Sequence, residues 1–342
     1  MSIHHEVAVV ILNWNGEKFL QRFLPGVLAN SNETGVAVYV ADNGSTDGSV
    51  KLLRSRFPLV NLILLDRNYG YAGGYNRALS QIDSDFFVLL NSDVEVPGGW
   101  LNPLRSFMRS NPNAAACAPA IMDITRPECF EYAGAAGGFI DKFGYPFCRG
   151  RILSEIEQDT GQYNQSIEVF WASGACMMVR ANTFWDAGGF DDHFFAHMEE
   201  IDLCWRMLNM GYSVWSIPES KVYHVGGGTL PNNNPYKLYL NYRNSLFMLH
   251  KNLSKNAFYQ TIIARLLLDW LSAMAYLVRF QLKFFGAVAK SHYHYYRDIS
   301  RLNSFRSSFR HPKTNSAKVI YHRSVLFDFF ILRRRKFSEL KF

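Results

Sequence analysis

Three times near its start, the chain runs from a short apolar stretch through a polar or glycine-rich loop into helical spacing. A fourth apolar stretch then ends in acids. Residues 7–12 read as a buried parallel strand, and 36–41, 60–65 and 86–90 as a second, third and fourth strand. Residues 17–29 repeat apolar side chains at helical steps (Phe19, Leu20, Phe23, Leu24, Val27), and 49–57 and 75–82 continue the alternation. Strand–loop–helix in this order predicts a parallel sheet covered by helices on both faces. Ligands of such sheets sit beyond the carboxyl ends of the strands. The polar loops at 13–16, 42–48, 68–76 and 91–95 all follow strands, so they converge on one edge and build one pocket.

The remainder differs in texture. Residues 115–180 hold glycines at 134, 137, 138, 144 and 150 among aromatics, the pattern of a loop-rich or antiparallel insert. Residues 212–217 are strand-like. Residues 239–253 and 257–289 read as two helices. In the second, Arg265, Asp269, Ser272, Tyr276, Arg279 and Lys283 recur at steps of three and four and form one narrow polar stripe on an otherwise apolar helix. The charges interrupt any long apolar run, which predicts an interfacial amphipathic helix with Lys and Arg reaching outward, or else a packed helix, over a spanning one.

Charge divides the same way. Residues 1–236 carry 16 basic and 25 acidic side chains, a net of −9; residues 237–342 carry 20 and 4, a net of +16. An acidic body with a basic tail ending in Arg333-Arg334-Arg335-Lys336 points to metal-assisted chemistry in the body and an anionic membrane surface under the tail. The expected division is a catalytic domain at 1–236, with halves of about 1–114 and 115–236, and a helical basic extension at 237–342. Hydrophobic residues make up 48% of the chain, enough for a sizeable core. Five cysteines, an odd number without a CxxC pair, suggest neither a disulfide framework nor a zinc site. The N-terminus has no signal-peptide pattern, which predicts a cytoplasmic protein, peripheral to the inner membrane face.

Chemistry-bearing residues cluster at the strand ends. Asp42, in Asp42-Asn43-Gly44-Ser45, can accept hydrogen bonds from a nucleoside or simply cap a turn. The segment from Arg67 to Asn76 is glycine-rich but lacks both the dinucleotide fingerprint and the Lys and Ser/Thr of a phosphate loop. Asn91-Ser92-Asp93 follows a strand, where a carboxylate can hold a hard divalent cation against a diphosphate. Glu199 and Glu200 open a helix, where the dipole favours ionised acids, and are the candidates for a general base. Asp202 and Arg206, four apart, fit a structural ion pair. His224 opens the glycine-rich run from Gly226 to Thr229 and would suit a manganese-like ion.

In this order the segments 9–16, 40–47, 68–76, 89–93, 188–191 and 199–206 resemble the family 2 glycosyltransferases, and more narrowly their bacterial rhamnosyltransferase-like branch. The resemblance covers about residues 5–250. It implies an α/β GT-A fold and an inverting transfer of sugar from a nucleotide-diphosphate donor to a glycan or lipid-linked hydroxyl acceptor. It implies Mg²⁺ or Mn²⁺ held by Asp93 and His224, and Glu200 as base with Glu199 beside it. Asn13, Asp42, Arg67, Asn68, Gly74, Asn76, Ser92 and Asp93 would line the donor. Two departures stand out: the DxD motif reads Asn91-Ser92-Asp93, and the base is Glu where the family uses Asp. A nucleotidyltransferase of related fold or a silent nucleotide-sugar-binding protein are the alternatives, and no nucleic-acid partner is expected.

Overall fold

The computed structural model describes residues 4–226, 234–308 and 316–342. The first part alternates as β1 (His5–Asn13), α1 (Glu17–Asn30), β2 (Val36–Asn43), α2 (Ser49–Arg56), β3 (Asn61–Leu65), α3 (Gly70–Leu79) and β4 (Ser84–Asn91). A short β5 (Val94–Glu95) and α4 (Leu101–Ser110) lead to the long β6 (Ala114–Asp123) and its neighbour β7 (Arg126–Phe130). Four short strands follow: β8 (Gly138–Asp141), β9 (Pro146–Cys148), β10 (Arg151–Ile152) and β11 (Glu155–Ile156). Then come β12 (Ile167–Val169), β13 (Cys176–Arg180), α5 (Ala181–Asp186), α6 (Glu199–Asn209) and β14 (Ser213–His224). The last part holds α7 (Pro235–Asn252), α8 (Lys255–Val278), α9 (Leu282–Arg297), α10 (Ile299–Ser308), β15 (Ile320–Tyr321) and α11 (Val325–Phe330).

The main sheet runs β12-β14-β6-β13-β4-β1-β2-β3. The expected parallel half is present: β1 pairs β2 and β4, and β2 pairs β3, all parallel. Beyond β4 the sheet is mixed, because β13 enters antiparallel to both β4 and β6. Strand β1 buries both faces. Val7, Val9 and Ile11 meet α1, α2 and α4 on one side, while Ala8 and Val10 meet α3, α5 and α6 on the other. Strand order reverses between β1 and β4, so the loops after them open a crevice at the carboxyl edge. All four expected polar loops lie there.

Within the 115–180 region β8 to β11 pair antiparallel, one of the forms its composition suggested, and build a second sheet, β11-β10-β9-β8-β15, while β6, β12 and β13 belong to the main one. Its edge strand β15 comes from far along the chain, with Ile320 beside Ile140. Phe337 and Phe342 pack at tilted or edge-on angles against Phe139 and Phe147 of the same sheet. Helix α7, beyond the expected boundary at 236, is part of the catalytic body: Leu246, Phe247, Met248 and Leu249 belong to its core. The basic segment is therefore woven into the rest.

Two helix readings need correction. Helix α3 begins at Gly70, five residues before expected, because its glycines are packing sites; a Cβ on Gly74 would stand 2.9 Å from Leu12 and Asn43 side-chain atoms. The expected helix 257–289 is a hairpin, α8 and α9, broken where Phe280 takes a left-handed φ of 56°. The polar stripe of α8 also faces the other way. Arg265 and Asp269 are buried, with Arg265 Nε donating to Asp269 Oδ1 at 2.8 Å and Tyr145 donating to the same carboxylate at 3.3 Å. Charge points inward and the apolar side faces out.

Candidate active site

The loops after β1 and β2 lock together through a buried amide. Asn13 Nδ2 donates to Asp42 Oδ2 at 3.0 Å and to Ser45 Oγ at 3.2 Å, while the Ser45 amide donates to Asp42 Oδ1 at 2.9 Å. Asn43 organises the glycine-rich segment next to it. Its Oδ1 accepts from the Tyr69 amide at 3.0 Å, and its Nδ2 reaches Asn68 Oδ1 and the Gly70 carbonyl at 3.1 and 2.9 Å. Arg67 lies exposed over the Tyr69 ring at 4.9 Å. Of the residues expected at the donor, Asn13, Asp42, Asn68 and Gly74 thus lie together, at the ends of β1 and β2 and in the segment that follows β3. Ser92 comes close to Gly16, its Oγ lying 3.5 Å from where a Cβ there would stand. Asn76 is turned elsewhere: its amide bonds both the Phe190 carbonyl and Asp192 Oδ1, and its Oδ1 accepts from the Phe190 amide. It lines a cavity of about 650 Å³ with Asp192, Arg206 and Arg301, which none of Asp42, Asp93 and Glu200 lines. The Asn76 amide thus ties helix α3 to the loop at 190–192.

At the end of β4 stands Asp93, buried, with His224 Nε2 3.1 Å from its Oδ1. Strand β14 brings the histidine there by running beside β5, His224 opposite Val94. The second ring nitrogen, Nδ1, faces Glu131 Oε2 at 3.5 Å. Burial disfavours the imidazolium, but hydrogen bonding to Asp93 and the charges of both acids outweigh it and raise the pKa to about 10. A proton thus holds these three groups together. Among the described residues no cluster of three or more His, Cys, Asp and Glu is preformed for a metal. A carboxylate and an imidazole side by side still suit an ion of the Mn²⁺ or Mg²⁺ kind, which takes its other ligands from diphosphate and water. Glu131, in contact with the imidazole's far nitrogen, would orient it. The glycine-rich run after Gly226 lies outside the described residues.

Glu199 and Glu200 open α6 after an unusual backbone. Phe195, His197 and Met198 all have left-handed φ, at 64°, 69° and 72°. Such strain persists only where the surroundings fix it, and here they do. The buried Asn244 of α7 donates from Nδ2 to the carbonyls of Phe194, Ala196 and His197 at 3.0, 2.9 and 2.7 Å. Arg243 donates to Asn244 Oδ1 and to the carbonyls of His193 and Phe194. The first amides of α3, Tyr71 and Ala72, donate to the Phe195 carbonyl. One Oε2 on each glutamate is buried without a partner. Desolvation raises both carboxyls. Glu199 is pushed further because it also feels Glu200, whereas the amides of Glu200, Ile201 and Met198 pull Glu200 back down. Two adjacent acids with separated pKa values are suited to a neutral and an ionised role.

The two halves share neighbours. Cys148, its thiol raised chiefly by burial, feels the charges of both Glu131 and Glu200. Tyr71, raised by burial and Tyr75, feels Glu199 and Glu200, and donates to the Gly174 carbonyl at 2.7 Å. Asp202 lies outside this group. It binds Arg206 at 2.9 Å, as its spacing suggested, and also Lys251 at 2.8 Å, in a buried network with Asp191. Glu131, Cys148 and Asn244 escaped the sequence reading, and no spacing marks any of them; Tyr71 lies inside the glycine-rich segment, which gave it no role of its own.

Comparison with known proteins agrees with this architecture. The family model for glycosyl transferase family 2 matches residues 8–188. The chain is 30% identical over 234 residues to N-acetylglucosaminyl-diphospho-decaprenol L-rhamnosyltransferase of Mycobacterium tuberculosis, spanning 63% of this chain and 75% of the relative. Its fold superposes on GalNAc-T7 solved with UDP, GalNAc and Mn²⁺ at a TM-score of 0.57 and 15% identity, covering 72% of this chain and 48% of that one. It also superposes on the mannosyltransferase PcManGT from Pyrobaculum calidifontis, solved with GDP-Man and Mn²⁺, at 0.53 and 13% identity, over 90% and 80% of the two chains. These matches set aside the nucleotidyltransferase alternative: with a GT-A fold and a family match over more than half its length, the chain belongs to glycosyltransferase family 2 and transfers sugar from a nucleotide-sugar donor.

Proposed function

We propose that this enzyme transfers a deoxyhexose of the rhamnose kind, with inversion, from a nucleotide-diphosphate donor to a hydroxyl of a lipid-linked glycan. The step would belong to cell-surface polysaccharide synthesis at the inner face of the membrane. The rhamnosyltransferase relative supports the sugar and the diphospho-polyprenol class of acceptor. The observation that carries the reading is the buried cluster at the end of β4, where His224 stands between Asp93 at 3.1 Å and Glu131 at 3.5 Å, an acid–imidazole pair suited to a diphosphate-bound cation. Glu199 and Glu200 at the start of α6, each with a buried Oε2, supply acids suited to deprotonate an acceptor.

Glu200, ionised, takes the proton of the acceptor hydroxyl. Glu199, held neutral by burial and by its neighbour, keeps a second negative charge away from the attacking oxygen. The cluster formed by Asn13, Asp42 and Asn43 receives the nucleoside, with Arg67, Asn68 and Ser92 close to it. Asp93 and His224 would hold Mg²⁺ or Mn²⁺, which when bound neutralises charge on the departing diphosphate.

The test is a thermal-shift panel of dTDP-rhamnose, UDP-sugars and GDP-sugars with Mn²⁺, followed by transfer to a short-chain polyprenyl-diphosphate N-acetylglucosamine. Stabilisation by dTDP-rhamnose and a rhamnosylated lipid product are expected. Stabilisation and transfer with a different nucleotide sugar alone would replace the proposed donor. Glu200→Gln should bind donor normally and lose transfer; turnover near wild type in that variant would remove the base assignment.

A further inference from the structure

The burial pattern of α8 is inside out for a helix on the surface of a protein in water. Thr261, Ile262, Arg265, Asp269 and Ala273 are buried against the body, so polar groups face protein. The outer face carries Ile263, Leu267, Trp270, Leu271, Met274 and Val278, with Leu271 67% and Val278 78% exposed. At 24 residues the helix is about 36 Å long. The hairpin tip continues this surface, with Phe280 89% exposed and Leu282 beside it. A contiguous apolar face of this extent marks an interaction site.

The charges around it choose the partner. Between residues 255 and 297 the exposed ionisable side chains with a fixed charge are Lys255, Arg279, Lys283, Lys290 and Arg297, all basic, the last of them paired with Asp298 at 3.0 Å. The acid in that stretch, Asp269, is buried against Arg265 and His292. A second copy would bring the same positive collar against this one, and like charges repel; an anionic lipid surface attracts it. Trp270, Tyr276 and Tyr293 lie on the same hairpin, and rings with one polar atom suit the headgroup level. By length and composition α8 could cross a bilayer. It is nonetheless fastened along its middle to the body, through Arg265 to the Phe143 carbonyl at 3.2 Å, through Asp269 to Tyr145, and through Ser272 to Tyr242 at 2.6 Å. A helix so tied lies in the interface and does not pierce it.

We infer that the outer face of α8 and the tip of the α8–α9 hairpin seat the enzyme on an anionic lipid bilayer, apolar side chains in the acyl boundary and basic side chains on the headgroups. This deepens the reading of a lipid-linked acceptor, and its binding test uses neither donor nor acceptor, so the two can fail separately; donor hydrolysis serves only as a check that the variants stay folded. The full chain is floated with phosphatidylcholine vesicles with and without phosphatidylglycerol. Wild type should bind the anionic vesicles, and less at high salt. Leu267→Glu with Leu271→Glu should weaken partitioning at least about tenfold. Arg279→Glu with Lys283→Glu should weaken it on anionic vesicles only. Leu59→Glu, at a position 96% exposed in the turn before β3, should change nothing. All of these positions are solvent-facing, so unchanged melting and unchanged donor hydrolysis accompany the expected result. Equal flotation of wild type and the double-leucine variant would overturn the inference. So would a wild-type oligomer in light scattering that the same variant dissolves, since a second copy would then own the face.

Discussion

Asn244→Asp exchanges one atom in the clamp over the loop that leads into Glu199 and Glu200. The amide brings two N–H protons to three carbonyl oxygens within 3.0 Å, and Arg243 fixes which way it points by donating to Oδ1 at 2.9 Å. In the variant an oxygen faces those three oxygens. Two hydrogen bonds worth about 1 kcal/mol each are lost, and buried carbonyls are left short of a donor, a total of about 3 kcal/mol. The left-handed residues Phe195, His197 and Met198 store strain on the order of 1 kcal/mol each or more. Loss and strain are of similar size, so the loop relaxes and the first turn of α6 moves with it. A misplacement of about 1 Å at a reacting group costs roughly a hundredfold in rate. Steady-state kinetics should show kcat down about a hundredfold with donor KM nearly unchanged, and melting should fall by roughly 6 °C. The melting deficit should shrink toward acid pH, because the new carboxyl regains a donor when protonated. A variant with kcat within threefold of wild type, or a donor KM raised in step with the loss, would refute the argument.

Three further outcomes follow from buried charge. Glu199→Gln should raise the melting temperature at pH 8, since the folded-state pKa lies above the usual carboxylate value of 4.5 and ionisation opposes folding. That gain should disappear as pH falls below 4.5, where both states of the wild type are protonated; a gain that persists in acid would mean that it does not come from the raised pKa of Glu199. Glu131→Gln should weaken Mn²⁺ binding by about 10–100-fold in calorimetry with UDP or dTDP present, as expected on losing the group that orients a ligating imidazole; unchanged affinity would leave Glu131 without that role. Lys251→Met leaves Asp191 and Asp202 without the buried ammonium that joins them and should cost about 3–5 kcal/mol, read as a lower urea midpoint.

The parallel half of the sheet could be read from the chain because each strand is apolar on both sides and each ends in residues that cannot continue it. The convergence of Asn13, Asp42 and Asn68 followed from topology alone. The start of α3 could not be read. Gly70, Gly73 and Gly74 lower helix propensity, and only the tertiary structure reveals that Phe195, Leu12 and Asn43 leave no room for side chains there. The stripe on α8 was seen correctly as a stripe, but periodicity fixes which residues share a face and not which medium the face meets. The break at Phe280 contains neither Gly nor Pro. Glu131 reached the site through the hydrogen bond of its amide to the Ile121 carbonyl, a pairing that no local pattern encodes.

The small sheet closes over a long sequence gap. Ile320 pairs with Ile140, the Val325 amide with Asp141, and the Phe337 amide with Glu157, each across about 180 residues. Contacts of such separation form late, after the intervening chain has been ordered. During synthesis the nucleotide-binding half can condense as soon as it leaves the ribosome, whereas the sheet carrying Cys148 waits for residues past 320. A ribosome stalled near residue 308 should therefore display a donor-binding fold with a protease-sensitive β8–β11 region, and the transferase should mature only when that distant segment arrives.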